Sequence, residues 1–264
     1  MILFLGLGRM GLPTAGFAVR KGFDVHGYDP VEQKRQELRA LGGVPEAELG
    51  KALAAADQVA IMVGQESEVD HLFRSEQGIL ARCGKGTLVL VNSTVSPSFI
   101  VGLEAHAVAA GIQILDAPLC RAEMAARSGT LLALTSGNSQ NHRAALPLLE
   151  SFCSDVFYVG DRLGMAQVAK TVNNMILWAT VVANYEAFSL AESWNLNITE
   201  LRKVLETSSA DNWSLRMWDK VNEMPWSIKD MDIASRIAAQ SGVHLPLSEL
   251  VRALVANLPV LNHG

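Results

Sequence analysis

Residues 6–11 read Gly-Leu-Gly-Arg-Met-Gly and follow directly on the apolar run Ile2-Leu3-Phe4-Leu5. Three glycines at that spacing, between a short apolar strand and a helical pattern over Met10–Arg20, leave few folds open. The first glycine permits a tight turn, Gly8 lets the backbone approach a ligand, and Gly11 lets the helix pack close against the strand. The free N–H groups at the helix start favour a bound anion. Pro13 fits the first turn, where its missing N–H has no helical partner. The segment predicts a βαβ unit holding the pyrophosphate of a dinucleotide, with Gly6, Leu7, Gly8, Arg9, Met10 and Gly11 as its contacts.

Asp29 ends the second strand pattern, 18 residues after Gly11. A carboxylate there suits the adenosine ribose hydroxyls and repels a 2′-phosphate, so NAD is expected as cofactor. Lys34 and Arg35 lie close enough in sequence to keep NADP open.

Further strands are expected at Asp24–Tyr28, Val59–Val63, Thr87–Val91, Gln113–Asp116, Leu131–Thr135 and Val156–Val159, with helices such as Glu32–Ala40, Glu46–Ala55 and Ser98–Ala110 between them. Apolar strands separated by helices imply a parallel sheet covered on both faces. Residues 1–160 therefore read as an α/β, doubly wound, Rossmann-type domain. The texture changes near Gly160. Arg162–Trp194 is one helical pattern without proline, long enough to span roughly 50 Å. Only helical patterns follow, at Thr199–Thr207, Asp211–Asn222, Lys229–Gln240 and Pro246–Asn257. Residues 161–264 are expected to form an all-α domain that opens with this long helix.

Composition narrows the partners. Hydrophobic residues make up 49% of the chain and charged residues 19%, enough apolar material for a packed core. The net charge of -5 and the lack of a Lys/Arg block argue against nucleic acid or an anionic membrane as partner. Cys83, Cys120 and Cys153 are far apart and odd in number, which fits a reducing, cytoplasmic setting rather than a disulfide framework. The six histidines are scattered and no metal-ligand spacing occurs, so no metal is expected.

Five separated motifs then coincide. They are Gly6–Pro13; Asn92-Ser93-Thr94-Val95-Ser96-Pro97; Asp116-Ala117-Pro118 with Gly129-Thr130-Leu131; Lys170-Thr171-Val172-Asn173-Asn174; and Lys229-Asp230-Met231-Asp232-Ile233-Ala234. In this order they resemble the β-hydroxyacid dehydrogenase family, which includes 3-hydroxyisobutyrate dehydrogenase and tartronate semialdehyde reductase and is related to 6-phosphogluconate dehydrogenase. The resemblance implies an NAD(P)-dependent oxidoreductase that interconverts a small β-hydroxy acid and its semialdehyde. It assigns Lys170 as general acid/base and gives Asn174 the reacting oxygen or the substrate carboxylate. It places Val63, Gly64, Thr94 and Lys229 on the cofactor. The apolar neighbours of Lys170 suit proton transfer, and Asn174, four residues on, shares its helix face. Imine reductases share this architecture, and a non-catalytic dinucleotide-binding scaffold is a reading of another class. Retention of Lys170 and Asn174 weighs against both. The apolar helical domain suggests a homodimer or homotetramer.

The chain departs from the family after Pro118. Leu119-Cys120-Arg121-Ala122 stands where the family has Val-Ser-Gly-Gly, whose serine and glycine backbone grip the substrate carboxylate. Cys120 is a weaker donor than serine, while Arg121 adds a charge able to engage an anion bidentately. Cys120, Arg121, Ala122, Lys170 and Asn174 are thus the expected substrate contacts. The substrate is expected to carry an anionic group placed differently, or a second one. Ala166 also replaces the second glycine of the family's Gly-x-Gly-x-x-x-Lys, Val63-Gly64 its Leu-Pro, and Asn92 an aspartate.

Overall fold

Ile2–Leu5 forms β1, and all four residues are buried. A strand apolar on both sides belongs in the middle of a covered sheet, and β1 lies there. In the computed structural model, which describes residues 1–261, the chain packs as two units, Met1–Lys170 and Thr171–Gly264.

In the first unit β1 is followed by α1 (Gly11–Arg20), β2 (Val25–Tyr28), α2 (Glu32–Ala40), β3 (Val44–Glu46), α3 (Leu49–Ala55) and β4 (Gln58–Ile61). Then come α4 (Glu66–Arg74), α5 (Ile79–Arg82), β5 (Leu88–Val91), α6 (Pro97–Ala110) and β6 (Gln113–Asp116). The unit continues through β7 (Leu119–Cys120), α7 (Ala122–Ser128), β8 (Leu131–Ser136), α8 (Ser139–Leu149) and β9 (Cys153–Gly160). The strand order β3-β2-β1-β4-β5-β6 is parallel throughout and reverses direction of winding at β1, as a doubly wound fold requires.

Successive residues of each strand enter opposite cores. Ile2 and Phe4 pack with Ala15, Ala18, Leu90 and Phe152 on one face, and the Phe4 and Phe152 rings meet edge to face at 6.5 Å. Leu3 and Leu5 pack with Val59, Phe73, Ile100 and Leu103 on the other.

The parallel expectation fails beyond β6. Asp116 pairs antiparallel with Ser136, and Leu119 and Cys120 pair antiparallel with Ala133 and Leu132. These pairs share one register, so β6 and β7 form one ladder against β8, interrupted where Pro118 has no N–H to give. β9 then pairs parallel with β8. Two helical expectations also need correction. Glu46 belongs to the short strand β3, so that helix begins only at Leu49, and the helix expected over Asp211–Asn222 is broken at Met217.

Helix α9 (Met165–Ser193) carries the chain across the division between the units. The second unit continues with α10 (Ile198–Leu205), α11 (Trp213–Arg216), a 3-10 turn (Trp218–Glu223), α12 (Ser227–Ser241) and α13 (Pro246–Val255). Buried Trp178 on α9 donates from Nε1 to Asp230 Oδ2 on α12 at 3.2 Å. Asn184 on α9 bonds Asn212 and Ser214 at 3.1 and 2.9 Å. Among the described residues no helix is long and apolar enough to cross a membrane.

The Trp178–Asp230 bond ties α12 to α9 inside this unit. Trp178→Phe keeps most of the buried ring but removes one donor from a buried carboxylate, at a cost of about 1–2 kcal/mol. Thermal unfolding is expected to shift down by roughly 2–4 °C for each kcal/mol lost. An unchanged midpoint would show that the bond adds nothing.

Candidate active site

The first unit collects its candidate residues at the carboxyl ends of the parallel strands. The glycine turn follows β1, Asp29 follows β2, Val63 and Gly64 follow β4, Asn92–Thr94 follow β5, and Asp116 ends β6. Ligands of open α/β sheets bind in the crevice at this edge, where the winding reverses.

Backbone crowding explains two of the glycines. Gly6 has φ +90°, and a Cβ there would lie 2.6 Å from the Met62 carbonyl oxygen. A Cβ on Gly11 would lie 1.9 Å from the Gly6 carbonyl oxygen, so only glycine lets α1 start against this turn. Gly8 differs: a Cβ there meets nothing within 4 Å, and the residue is exposed. Helix α1 has no side-chain cap and no acidic residue in its first turn. Its start thus lies beside exposed Gly8 with no carboxylate of its own first turn, and the positive end of the helix dipole there suits phosphate.

Asp29 is 9% exposed and accepts from the backbone N–H of Leu7 at 2.8 Å and of Val31 at 2.9 Å. It thus fixes the glycine turn to the end of β2, while its oxygens keep further acceptor capacity. Arg9 pairs with Glu123, linking the glycine turn to the first turn of α7.

Ser93 joins the next two loops. Its hydroxyl accepts from Val63 N–H and donates to the Val63 carbonyl, both at 2.9 Å. Thr94, beside it, is half-buried. Gln167, fully buried, connects this loop to α9. Its Oε1 accepts from Val95 N–H at 3.1 Å, and its Nε2 donates to the Ser93 carbonyl at 3.1 Å and to Asp116 Oδ1 at 2.8 Å. Lys170, one turn further along α9, is half-buried.

Asp116 and Ser136 cap α9 from a distance. Asp116 Oδ2 accepts from the backbone N–H of Gly164 at 3.1 Å and of Gln167 at 3.2 Å, and from Ser136 Oγ at 3.0 Å. Ser136 Oγ accepts from Ala166 N–H at 2.9 Å. The first turn of the helix bearing Lys170 thus has its free donors met by two buried side chains of the sheet. Burial pushes the Asp116 carboxyl up to about 6, against hydrogen bonds from Gln167, Ser136 and Gly164 that favour its ionised form.

The segment that breaks the family pattern is strained. Arg121 has φ 82° and Ala122 φ 57°, both in the left-handed region that favours glycine. Each costs about 1–2 kcal/mol relative to a relaxed residue. Cys120 is buried opposite Leu132 in the ladder. The Arg121 guanidinium is engaged by protein: its Nη1 donates to Asp155 Oδ2 at 2.7 Å, Ser154 Oγ at 2.8 Å and the Thr130 carbonyl at 3.0 Å.

In the second unit, Asn174 on α9 is 3% exposed and its Oδ1 accepts from Asn173 Nδ2 at 3.0 Å. Lys229 is half-buried on α12, next to the Asp230 that receives Trp178. Among the described residues no group of three or more His, Cys, Asp and Glu is placed to hold a metal ion. Sequence reasoning did not give Gln167, Ser136 or the capping role of Asp116 any part in the site. A signal was present: Asp116 ends an apolar strand as Asp29 does, and Gln167 is a polar residue between Ala166 and Val168 just before Lys170.

Comparison with known proteins finds two family models along the chain. Residues 1–160 match the family model for the NAD binding domain of 6-phosphogluconate dehydrogenase. Residues 164–262 match that for the NAD-binding region of NADP-dependent 3-hydroxyisobutyrate dehydrogenase. An NAD-dependent L-serine dehydrogenase of Pseudomonas aeruginosa is 30% identical, over 96% of this chain and 90% of that protein. A 3-hydroxyisobutyrate dehydrogenase of the same organism is 32% identical, over 85% of this chain and 74% of its own length. Among solved structures, 3-hydroxyisobutyrate dehydrogenase of Mycobacterium tuberculosis, determined with L-serine, superposes with a TM-score of 0.86. It is 27% identical, over 99% of this chain and 96% of that one.

Two outcomes follow from this geometry. Gly8→Val adds a side chain only to open space, so the thermal midpoint is expected to hold while the Kd for NAD rises at least about tenfold, a loss of 1.4 kcal/mol. Unchanged NAD affinity would remove Gly8 from the cofactor site. Asp116 makes a pH prediction. An acid whose carboxyl is raised on folding adds stability when protonated. That contribution is full below the ordinary value of 3.8 and is lost as pH rises through about 6. It amounts to about 3 kcal/mol at most. Urea unfolding of wild type and Asp116→Asn from about pH 4 to about pH 7 reads it. The stability difference between them is expected to move in favour of wild type as pH falls, and the opposite slope would contradict the assignment.

Proposed function

The chain belongs to the β-hydroxyacid dehydrogenase family of NAD(P)-dependent enzymes, and on that premise we propose that it interconverts a small β-hydroxy acid and its semialdehyde, with Lys170 as general acid/base. One observation carries the reading most. Gln167 ties the helix of Lys170 to the Ser93–Val95 loop, which the family resemblance sets beside the nicotinamide.

The residues present fit the cofactor. Gly6–Gly11 and the start of α1 hold the pyrophosphate, and Asp29 receives the adenosine ribose. Val63, Gly64 and Thr94 line the nicotinamide half, and the family resemblance adds Lys229 to the cofactor contacts. A bound nicotinamide would supply the hydride acceptor for the alcohol, or the hydride donor for the aldehyde. NAD is the preferred form. Asp29 repels a 2′-phosphate, and the two nearby cations are engaged: Lys34 by Glu37 at 2.9 Å, and Arg35 by the carbonyls of Asp29 and Pro30.

Lys170 takes the hydroxyl proton during oxidation and gives it back in reduction. Asn174 holds the reacting oxygen from one turn along the same helix, and the turn at Cys120–Ala122 receives the substrate carboxylate. A small β-hydroxy acid with one carboxylate, such as 3-hydroxyisobutyrate or serine, suits these groups.

A cofactor-coupled screen of small β-hydroxy acids, with each of NAD and NADP, tests the proposal. Turnover with at least one acid and a kcat/KM favouring NAD are expected. Lys170→Ala is expected to lower kcat by about 10²–10⁴-fold while NAD affinity holds. Undiminished turnover in that variant would refute the assignment of Lys170, and tight NAD binding without turnover of any acid would favour a scaffold.

A further inference from the structure

Two consecutive non-glycine residues in the left-handed region need a reason to stay there, since a relaxed backbone is open to them. Arg121 and Ala122 adopt that conformation at the junction between β7 and α7. Glycine would hold it without help. Here the help is visible. The Arg121 side chain reaches from β7 past β8 to β9, where Asp155 and Ser154 take its Nη1 at 2.7 and 2.8 Å. Ser154 Oγ also donates to Asp155 Oδ2 at 2.8 Å, which orients the carboxylate, and the Thr130 carbonyl closes the contact at 3.0 Å. Both charged side chains are only partly exposed, at 36% and 39%. The cation that sequence alone offers to substrate is thus committed to a strand of its own sheet.

We infer that Asp155 is a positioning residue for substrate, holding Arg121 so that the backbone at Arg121 and Ala122 keeps the left-handed form in which its N–H groups meet the substrate carboxylate. This rests on the proposed placement of that carboxylate at Cys120–Ala122. Arg121 then sets specificity through backbone geometry: its clamp replaces the conformational freedom of the family's glycine. Two consequences separate this role from simple stabilisation. Loss of Asp155 weakens substrate binding more than it slows the chemical step. It also does nothing once residue 121 is itself glycine, because glycine needs no clamp.

The test uses the full chain as wild type, Asp155→Asn, Arg121→Gly and the double variant. Two readouts are taken: backbone amide exchange over residues 120–124, and steady-state kinetics with NAD and whichever β-hydroxy acid turns over. Asp155→Asn is expected to speed exchange in that segment and to raise the acid's KM about tenfold, with kcat and the KM for NAD within about twofold. Whatever KM the Arg121→Gly variant shows, adding Asp155→Asn to it is expected to change that KM no further. Unchanged exchange in Asp155→Asn would overturn the clamp, as would a full Asp155→Asn effect persisting in the Arg121→Gly background. Faster exchange with an unchanged KM would overturn the positioning role differently, by showing that the carboxylate does not sit on this turn.

Discussion

A single buried carboxylate holds this site in register. Asp116 is fully buried and takes N–H groups from Gly164 and Gln167, the Ser136 hydroxyl and the Gln167 amide. A long helix begins with free donors that need partners, and most helices find them in their own sequence. Here the partners come from the ends of β6 and β8, so the start of α9 is fixed to the sheet rather than to its own preceding turn. Lys170, one turn on from Gln167, inherits its position from that anchor. The same carboxylate orients Gln167, whose amide then spans to Ser93 and Val95. The division between the units falling at Lys170, and not where α9 begins, has this cause: the first turn and a half of the helix packs as part of the α/β unit.

The fold was largely legible because the strongest signals are local. β1 and β6 occupy the expected residues, and the turn needs glycine at Gly6 and Gly11 for reasons of space that spacing alone anticipates. The strands that escaped are those with no period to show. β3 has three residues and contains Pro45, tolerable because it is an edge strand. β7 is a two-residue continuation of β6 beyond Pro118, and its direction relative to β8 is a tertiary fact that no local pattern encodes. The helix at Ser139–Leu149 carries Pro147 in its interior, which weakens its pattern.

The site divides along the same line. Residues read from a local motif, such as the glycine turn and Asp29, stand where their spacing implies. Partners set by long-range contact did not show. Arg121 illustrates this best, since its sequence neighbours gave no hint of Asp155, 34 residues away on another strand. A charge placed in a binding segment reads as a ligand contact until its partner is seen. Asp29 shows a milder form of the same effect, because part of its work is to hold Leu7 and Val31.

Lys170 and a nicotinamide are proposed to meet at one carbinol carbon. A single-turnover reaction of the enzyme with NAD and a β-hydroxy acid deuterated at that carbon tests this most directly. A primary isotope effect on the fast phase is expected, with deuterium recovered on the nicotinamide ring. Deuterium released to water, or retained in the acid while NAD stays oxidised, would contradict it.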